Sequence, residues 1–114
     1  MDSSRKKEML HAYKQRKIEG GVYALRCTAT RRCMIDMTTD LAGAKNRFAF
    51  SANSNLCPHH LLQADWRTHG ADGFRFEVLE TLPKKEEESL WDYKESLALL
   101  CTMLRDKTPA DELY

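Results

Sequence analysis

The chain has 114 residues, of which 42% are hydrophobic and 31% charged, a composition typical of one folded domain and not of a disordered chain. The net charge of +1 excludes binding of nucleic acid by bulk charge alone, so a phosphate contact needs a local basic patch. No apolar run approaches the ~20 residues of a membrane span, and the charged start lacks the apolar stretch of a secretion signal. We therefore expect one soluble, cytoplasmic domain without a membrane partner.

The charges are unevenly distributed along the chain. Residues 1–20 carry six Lys and Arg against three acids, and residues 21–76 carry seven against four. Residues 77–114 carry five against ten. The net charges of the three segments are therefore +3, +3 and −5, although the whole chain is nearly neutral.

The cysteines are scattered without a C-x-x-C pair: Cys27, Cys33, Cys57 and Cys101. A chain with its own core does not need disulfides, so we expect reduced thiols. Cys57, His59 and His60 have the ligand chemistry of zinc, but further ligands do not stand at workable spacing. We expect no zinc site.

Residues 4–18 are predicted to form an amphipathic helix, with Ser4 as its cap and Met9, Ala12 and Tyr13 on one face. Its basic side is either a solvated face or a phosphate-binding surface. The pair Gly20-Gly21 ends this helix.

Two short strands are predicted next, over residues 22–28 and 33–37, both rich in β-branched and aromatic types. The short polar turn between them favours an antiparallel hairpin. A helix begins after Asp40 and carries Leu41, Ala44 and Phe48 on one face, while residues 51–55 have loop chemistry.

A further helix is predicted over residues 59–69, ended by Gly70. Residues 74–82 alternate apolar and polar side chains, as a half-buried strand does. A long helix follows from Lys84 to about Arg105, with acids first and bases last, and residues 108–114 are expected to fray. This order predicts an α+β fold, with a three-stranded sheet packed against helices.

Six features in order resemble the GIY-YIG nuclease family, and within it a small divergent bacterial branch of unknown role. They are Gly21-Val22-Tyr23, Met34-Ile35-Asp36, Asp40-Leu41, the segment from Leu61 to Gly70, the strand 74–82, and Glu95-Ser96-Leu97. The resemblance implies a three-stranded antiparallel sheet flanked by helices, with a core of about residues 20–106. Residues 1–19 would add an N-terminal helix and residues 107–114 a tail.

Members of this family cleave a DNA phosphodiester with one divalent metal. The resemblance therefore implies Tyr23 and Arg47 as catalytic residues and Glu95 as a ligand of Mg²⁺ or Mn²⁺. Glu88 is the alternative ligand if the alignment of the helix is shifted by two turns. Arg31, Arg32 and Lys45 are the predicted nucleic-acid contacts.

The chain departs from the family at the second tyrosine, replaced by Met34, and at the glycine of that motif, replaced by Asp36. Asp36 lies on the same strand face as Met34, where it would repel phosphate, add a metal ligand, or pair with a nearby arginine. Arg47 is one helical turn, about 5 Å, beyond its usual place. Because losing one transition-state donor costs ~2.7–4 kcal/mol, we expect weak or lost cleavage.

The predicted function is a nuclease-like domain acting on DNA. The alternative is a non-catalytic module that binds nucleic acid or a protein. Trp66 and Trp91 are expected to be core or rim aromatics, and His59, His60 and His69 surface residues.

Overall fold

The computed structural model describes residues 18–114, which form a three-stranded antiparallel sheet flanked by helices, the predicted α+β fold. The strands are β1 (Gly20–Cys27), β2 (Cys33–Thr38) and β3 (Phe74–Leu82), with β1 in the centre. The helix predicted over residues 4–18 lies outside the described residues, apart from Ile18. Within the described part, no helix is both long and apolar enough to cross a bilayer.

The predicted hairpin is confirmed, with β1 and β2 paired so that Leu25 lies opposite Met34 and Tyr23 opposite Asp36. Alternation along each strand divides the sheet into two faces. One face buries Val22, Ala24, Cys33 and Ile35. The other carries Tyr23, Leu25, Met34 and Phe76. The two faces are covered by different helices.

Helix α1 (Leu41–Asn53) begins where the sequence predicts, because the Asp40 carboxylate accepts a hydrogen bond from the Gly43 N–H at 3.0 Å. The loop predicted over residues 51–55 is wrong in its first half. The helix continues to Asn53, and the Leu56 N–H donates to the Ser51 carbonyl at 2.9 Å to close its end. Asn55 then takes a left-handed conformation, with φ of 53°.

The predicted helix over residues 59–69 divides into a 3₁₀ turn (His60–Leu62) and helix α2 (Gln63–His69). Leu62 and Trp66 are buried one turn apart, against the face that carries Leu25. Gly70, with φ of 74°, ends α2 as predicted, and a second 3₁₀ turn (Ala71–Gly73) leads into β3.

Helix α3 (Leu90–Lys107) begins six residues later than predicted. The Ser89 hydroxyl accepts from the Asp92 N–H at 3.0 Å, and this cap fixes the start, leaving the preceding acids in a turn. Tyr93, Leu97 and Cys101 form the buried side of α3, whereas Leu90 is 54% exposed. Cys101 packs on the sheet face of Val22 and Ile35, opposite to α1 and α2.

The Tyr93 hydroxyl joins three elements at one end of the sheet. It accepts from the Gly20 N–H at 2.9 Å and donates to the Leu82 carbonyl. The start of β1, the end of β3 and the first turn of α3 are therefore held together by one side chain.

The prediction of a frayed tail is wrong. After a 3₁₀ turn (Ala110–Glu112), Leu113 pairs with Cys33 in a parallel bridge, and the Tyr114 N–H donates to the Cys33 carbonyl at 3.1 Å. The Tyr114 hydroxyl donates to Asp65 at 2.6 Å, and the Arg32 guanidinium lies 4.4 Å from the centre of the tyrosine ring. This C-terminal segment covers the outer edge of β2. The four cysteines are free.

Candidate functional site

A pocket of about 270 Å³ lies on the α1 side of the sheet, and its polar lining residues come from β1, β2, α1 and the segment before the first 3₁₀ turn. They are Tyr23, Asp36, Arg47, Ser51 and His59. The pocket thus brings together three of the four residues to which the sequence assigned a catalytic or metal-binding role.

The sheet register explains why Tyr23 and Asp36 meet. The two residues are direct partners across β1 and β2, so both side chains project from the same face at the same level. Met34, two residues before Asp36, lies on that face as well and lines the same pocket.

The remaining lining residues are apolar: Leu25, Met34, Ala44, Phe48 and Pro58. The first three are buried and form the floor. The Tyr23 ring stacks on Phe76, with ring centres 4.9 Å apart and planes 17° from parallel. This stacking holds the phenol at the pocket wall.

Burial raises the pKa of Tyr23 above its usual value near 10.0, and the neighbouring Asp36 carboxylate raises it further. The Arg47 guanidinium opposes this shift but does not cancel it. Tyr23 is consequently a neutral phenol at neutral pH. It is suited to donate a hydrogen bond and poorly suited to take a proton from water.

Asp36 faces the pocket, where its carboxylate interacts with the Tyr23 hydroxyl. One of its oxygens accepts from the Met37 N–H at 2.8 Å. The alternative of a pair with a nearby arginine is not realised, because Arg26 binds Glu77 at 3.1 Å and Arg32 lies over Tyr114. Between residues 18 and 114, Arg26–Glu77 is the single ion pair.

Arg47 is exposed at the mouth of the pocket, and its guanidinium lies across the first turn of α1. A Cβ atom at Gly43 would be 3.4 Å from Arg47 Nη1 and 2.5 Å from the Asp40 carboxylate. Gly43 therefore leaves room for both the arginine and the helix cap.

His59 is a lining residue that the sequence analysis assigned to the surface. Its Nδ1 accepts from the Leu61 N–H at 3.1 Å, so a neutral His59 carries its proton on Nε2. The signal in the sequence was its position between Pro58 and the start of a helix, where a side chain acts as a cap. The stacking of His59 and His60, 4.4 Å between ring centres, was not foreseeable.

Glu95 lies away from this pocket. It is exposed on α3, and as the second residue after buried Tyr93 it points about 200° around the helix from the buried side. Because α3 covers the opposite face of the sheet, Glu95 and Tyr23 do not converge. Glu88 lies in the turn before α3 and accepts from the Lys85 N–H, and it does not line the pocket either.

The predicted nucleic-acid contacts do not line the pocket. Arg31 and Lys45 are exposed, whereas Arg32 is half-buried against Tyr114. Arg31 and Arg32 lie in the hairpin turn, at the end of β1 distant from Tyr23. Their roles stay predictions.

A metal ion in this pocket would have one carboxylate as its protein ligand. Among residues 18–114, no group of three or more His, Cys, Asp or Glu side chains is placed to hold a metal ion. In the pocket, Asp36 is the sole carboxylate. Mg²⁺ is commonly held by one or two carboxylates with water and substrate phosphate, so Asp36 could be such a ligand in place of Glu95.

Two solved structures are similar to this chain. The catalytic domain of homing endonuclease I-TevI shows 18% identity and a TM-score of 0.48, with 75% of this chain and 91% of that chain covered. A mutant of the catalytic domain of intron endonuclease I-TevI shows 16% identity and a TM-score of 0.47, with 76% and 89% covered. No family model matches the sequence, and no curated protein matches it.

I-TevI is a GIY-YIG homing endonuclease, so the structural neighbours belong to the family that the sequence motifs resemble. Since both TM-scores lie below 0.5, the function proposed below rests on the side chains of this chain and not on those two structures.

Proposed function

We propose that this chain is a nuclease-like domain that binds nucleic acid through the pocket of Tyr23, Asp36, Arg47 and His59, with phosphodiester cleavage weak or lost. The observation that carries the proposal is the position of Glu95. Four side chains with hydrogen-bond donors line the pocket, those of Tyr23, Arg47, Ser51 and His59. The predicted metal ligand, in contrast, is exposed beyond the other face of the sheet.

The donors in the pocket suit a phosphate group. Arg47 offers a planar array of N–H groups, and Tyr23 and His59 offer further donors. Because the pKa of Tyr23 is raised, its phenol keeps its proton and is poorly suited to activate water. This set of side chains supports binding more than hydrolysis.

The charge around the pocket also favours a polyanion. Residues 41–64 contain no Asp or Glu, whereas they contain Lys45, Arg47, His59 and His60. The excess of acids lies in residues 77–114, in β3, in the turn before α3 and in the C-terminal segment. A locally basic surface of this kind can bind phosphates although the whole chain is nearly neutral.

A second candidate function is metal-dependent cleavage of a phosphodiester, with Asp36 as the metal ligand in place of Glu95. The observation that favours it is the carboxylate of Asp36 in the same pocket as Tyr23 and Arg47. Bound Mg²⁺ would stabilise negative charge on phosphate oxygens, and Arg47 would orient the substrate.

Binding is tested by fluorescence anisotropy of labelled DNA at several salt concentrations. Wild type should bind saturably without metal, and Arg47→Ala should weaken binding and reduce the salt slope by about 0.9 per lost phosphate contact. Arg67→Ala, an exposed arginine of α2 that does not line the pocket, is the matched control. Equal effects of both variants, or no binding at all, would overturn the proposal and leave a protein partner as the ligand.

Cleavage is tested by nicking of plasmid DNA with Mg²⁺ or Mn²⁺. Absence of nicking by wild type supports the binding function. Nicking that Asp36→Asn abolishes and Glu95→Ala retains supports the second candidate. Nicking that Glu95→Ala abolishes would contradict both, because Glu95 does not reach the pocket.

A further inference from the structure

The floor of the pocket is apolar, although a phosphate gains nothing from apolar contact. Leu25 and Met34 are 4% and 9% exposed, and Phe48 and Pro58 extend the same surface. A flat ring, in contrast, is stabilised by burial against a thioether and an aromatic side chain. The pocket therefore suits a ligand that joins a ring to an anion.

The carboxylate of Asp36 restricts the chemistry of that ring. An ionised carboxylate only accepts hydrogen bonds, so without a metal it repels phosphate oxygens and pairs with N–H or O–H donors, which on the ring of a nucleobase are N–H groups. Among the common nucleobases, guanine has two N–H groups side by side, N1–H and N2–H, on its Watson–Crick edge. Adenine and cytosine place an acceptor nitrogen beside their amino group, and uracil or thymine places two carbonyls around one N–H.

The anion-binding groups lie at the mouth, above this floor. Arg47 is exposed there, and half-buried His59 has its Nε2–H free of the bond that Nδ1 makes to Leu61. The volume of about 270 Å³ is near the lower limit of ligand pockets, ~300 Å³, which favours one nucleotide over several.

Building on the proposed nucleic-acid function, we infer that the pocket binds a single unpaired guanosine 5′-phosphate group. The base lies on Met34 with its N1–H and N2–H donated to Asp36, and Arg47 binds the phosphate. The source of this group is either a free nucleotide or an unpaired guanine within a strand.

The base preference is tested by calorimetric titration with guanosine and uridine 5′-monophosphates. Wild type should bind the guanine nucleotide roughly tenfold more tightly, the discrimination expected of one bidentate contact. Asp36→Asn should remove this preference, whereas Asp72→Asn, an exposed carboxylate distant from the pocket lining, should keep it. Equal binding of both nucleotides by wild type would overturn the inference.

Arg47→Ala should weaken the binding of both nucleotides by a similar factor, since Arg47 contacts the phosphate and not the base. This variant keeps the test decisive if Asp36→Asn changes the fold, which circular dichroism would detect. Loss of binding for guanosine monophosphate alone would contradict the assignment of Arg47.

The source is identified with two hairpin oligonucleotides that differ in one loop base, guanine or thymine. Tighter binding of the guanine loop than of the free nucleotide identifies a strand as the source, and the reverse identifies a free nucleotide. Binding of both hairpins with equal affinity overturns the inference and leaves the proposed nucleic-acid function intact. Binding of the nucleotide without binding of any strand overturns the proposed function alone.

Discussion

Tyr23 and Asp36 are direct partners across β1 and β2, so a phenol and a carboxylate face one pocket from adjacent strands. This pairing follows from the hairpin register, in which Leu25 and Met34 form the next pair on the same face. The relative position of the phenol and the carboxylate is therefore fixed by the pairing of the strands.

The first prediction concerns the pKa of Tyr23. Burial and the charge of Asp36 raise this pKa, whereas the charge of Arg47 lowers it. Asp36→Asn should lower the pKa of Tyr23, and Arg47→Ala should raise it. Ultraviolet titration of tyrosinate, with Tyr23→Phe to identify the transition, measures both shifts. Shifts of the same sign in the two variants would contradict the proposed geometry.

The second prediction concerns Gly43 in the first turn of α1. Alanine has the better helix propensity by ~1 kcal/mol, which alone would stabilise the helix. However, a Cβ here would be 2.5 Å from the Asp40 carboxylate, and displacement of that cap costs ~0.5–2 kcal/mol. We expect Gly43→Ala to give no stabilisation in urea unfolding and to weaken DNA binding through a shifted Arg47.

Ala42→Gly is the matched control for this variant, since Ala42 is an exposed neighbour in the same turn. It should destabilise by the propensity difference of ~1 kcal/mol and leave DNA binding unchanged. The prediction would be contradicted if Gly43→Ala were more stable than wild type by the whole propensity difference and bound DNA with unchanged affinity. The Asp40 cap and Arg47 would then accommodate the added methyl group.

The third prediction concerns Tyr93. Tyr93→Phe leaves the buried Gly20 N–H without its acceptor and the Leu82 carbonyl without its donor. Leaving a buried polar group unsatisfied costs ~1–3 kcal/mol, which should appear as a lower urea midpoint. Thr102→Ala, an exposed position of the same helix, should change stability by less than about 0.5 kcal/mol.

The fourth prediction concerns stability at alkaline pH. Burial and the hydrogen bond to Asp65 raise the pKa of Tyr114 above its ordinary value of 10.0. Because the folded pKa exceeds the unfolded one, the stabilising contribution is complete below pH 10.0 and declines as the pH rises beyond it. Tyr114→Phe should therefore show a shallower alkaline loss of unfolding free energy than wild type.

Asp65→Asn provides the intermediate case, since it removes the charged acceptor and leaves the burial of Tyr114. Its alkaline slope should lie between those of wild type and Tyr114→Phe. Three identical slopes would show that Tyr114 is not held by Asp65 in solution.

The sheet was predictable because its signals are local. Alternation in residues 74–82 and the short polar turn of the hairpin predict β3 and the β1–β2 pair. The start of α3 was misplaced because three acids resemble a first helical turn, whereas the hydroxyl of Ser89 supplies the cap. The sequence did not predict that the C-terminal segment packs on the domain, because its contact partners Tyr114 and Asp65 lie 49 residues apart.

The site was predictable only in part, because some of its residues are placed by local signals and others by contacts between distant segments. Tyr23 and Asp36 follow from the hairpin register, and Arg47 from the face of α1. The inclusion of His59 depends on how the segment after α1 returns to the sheet. The position of Glu95 depends on which face of the sheet α3 covers, and that is decided by Tyr93, Leu97 and Cys101.

The uneven distribution of charge along the chain has a kinetic consequence. Residues 41–64, which form α1 and reach the pocket, carry Lys45 and Arg47 and no acid, whereas residues 77–114 carry five Lys and Arg against ten acids. In the field of a polyanion such a molecule rotates before contact, so encounters occur preferentially with the pocket foremost. Association rates should consequently fall with ionic strength more steeply than dissociation rates rise.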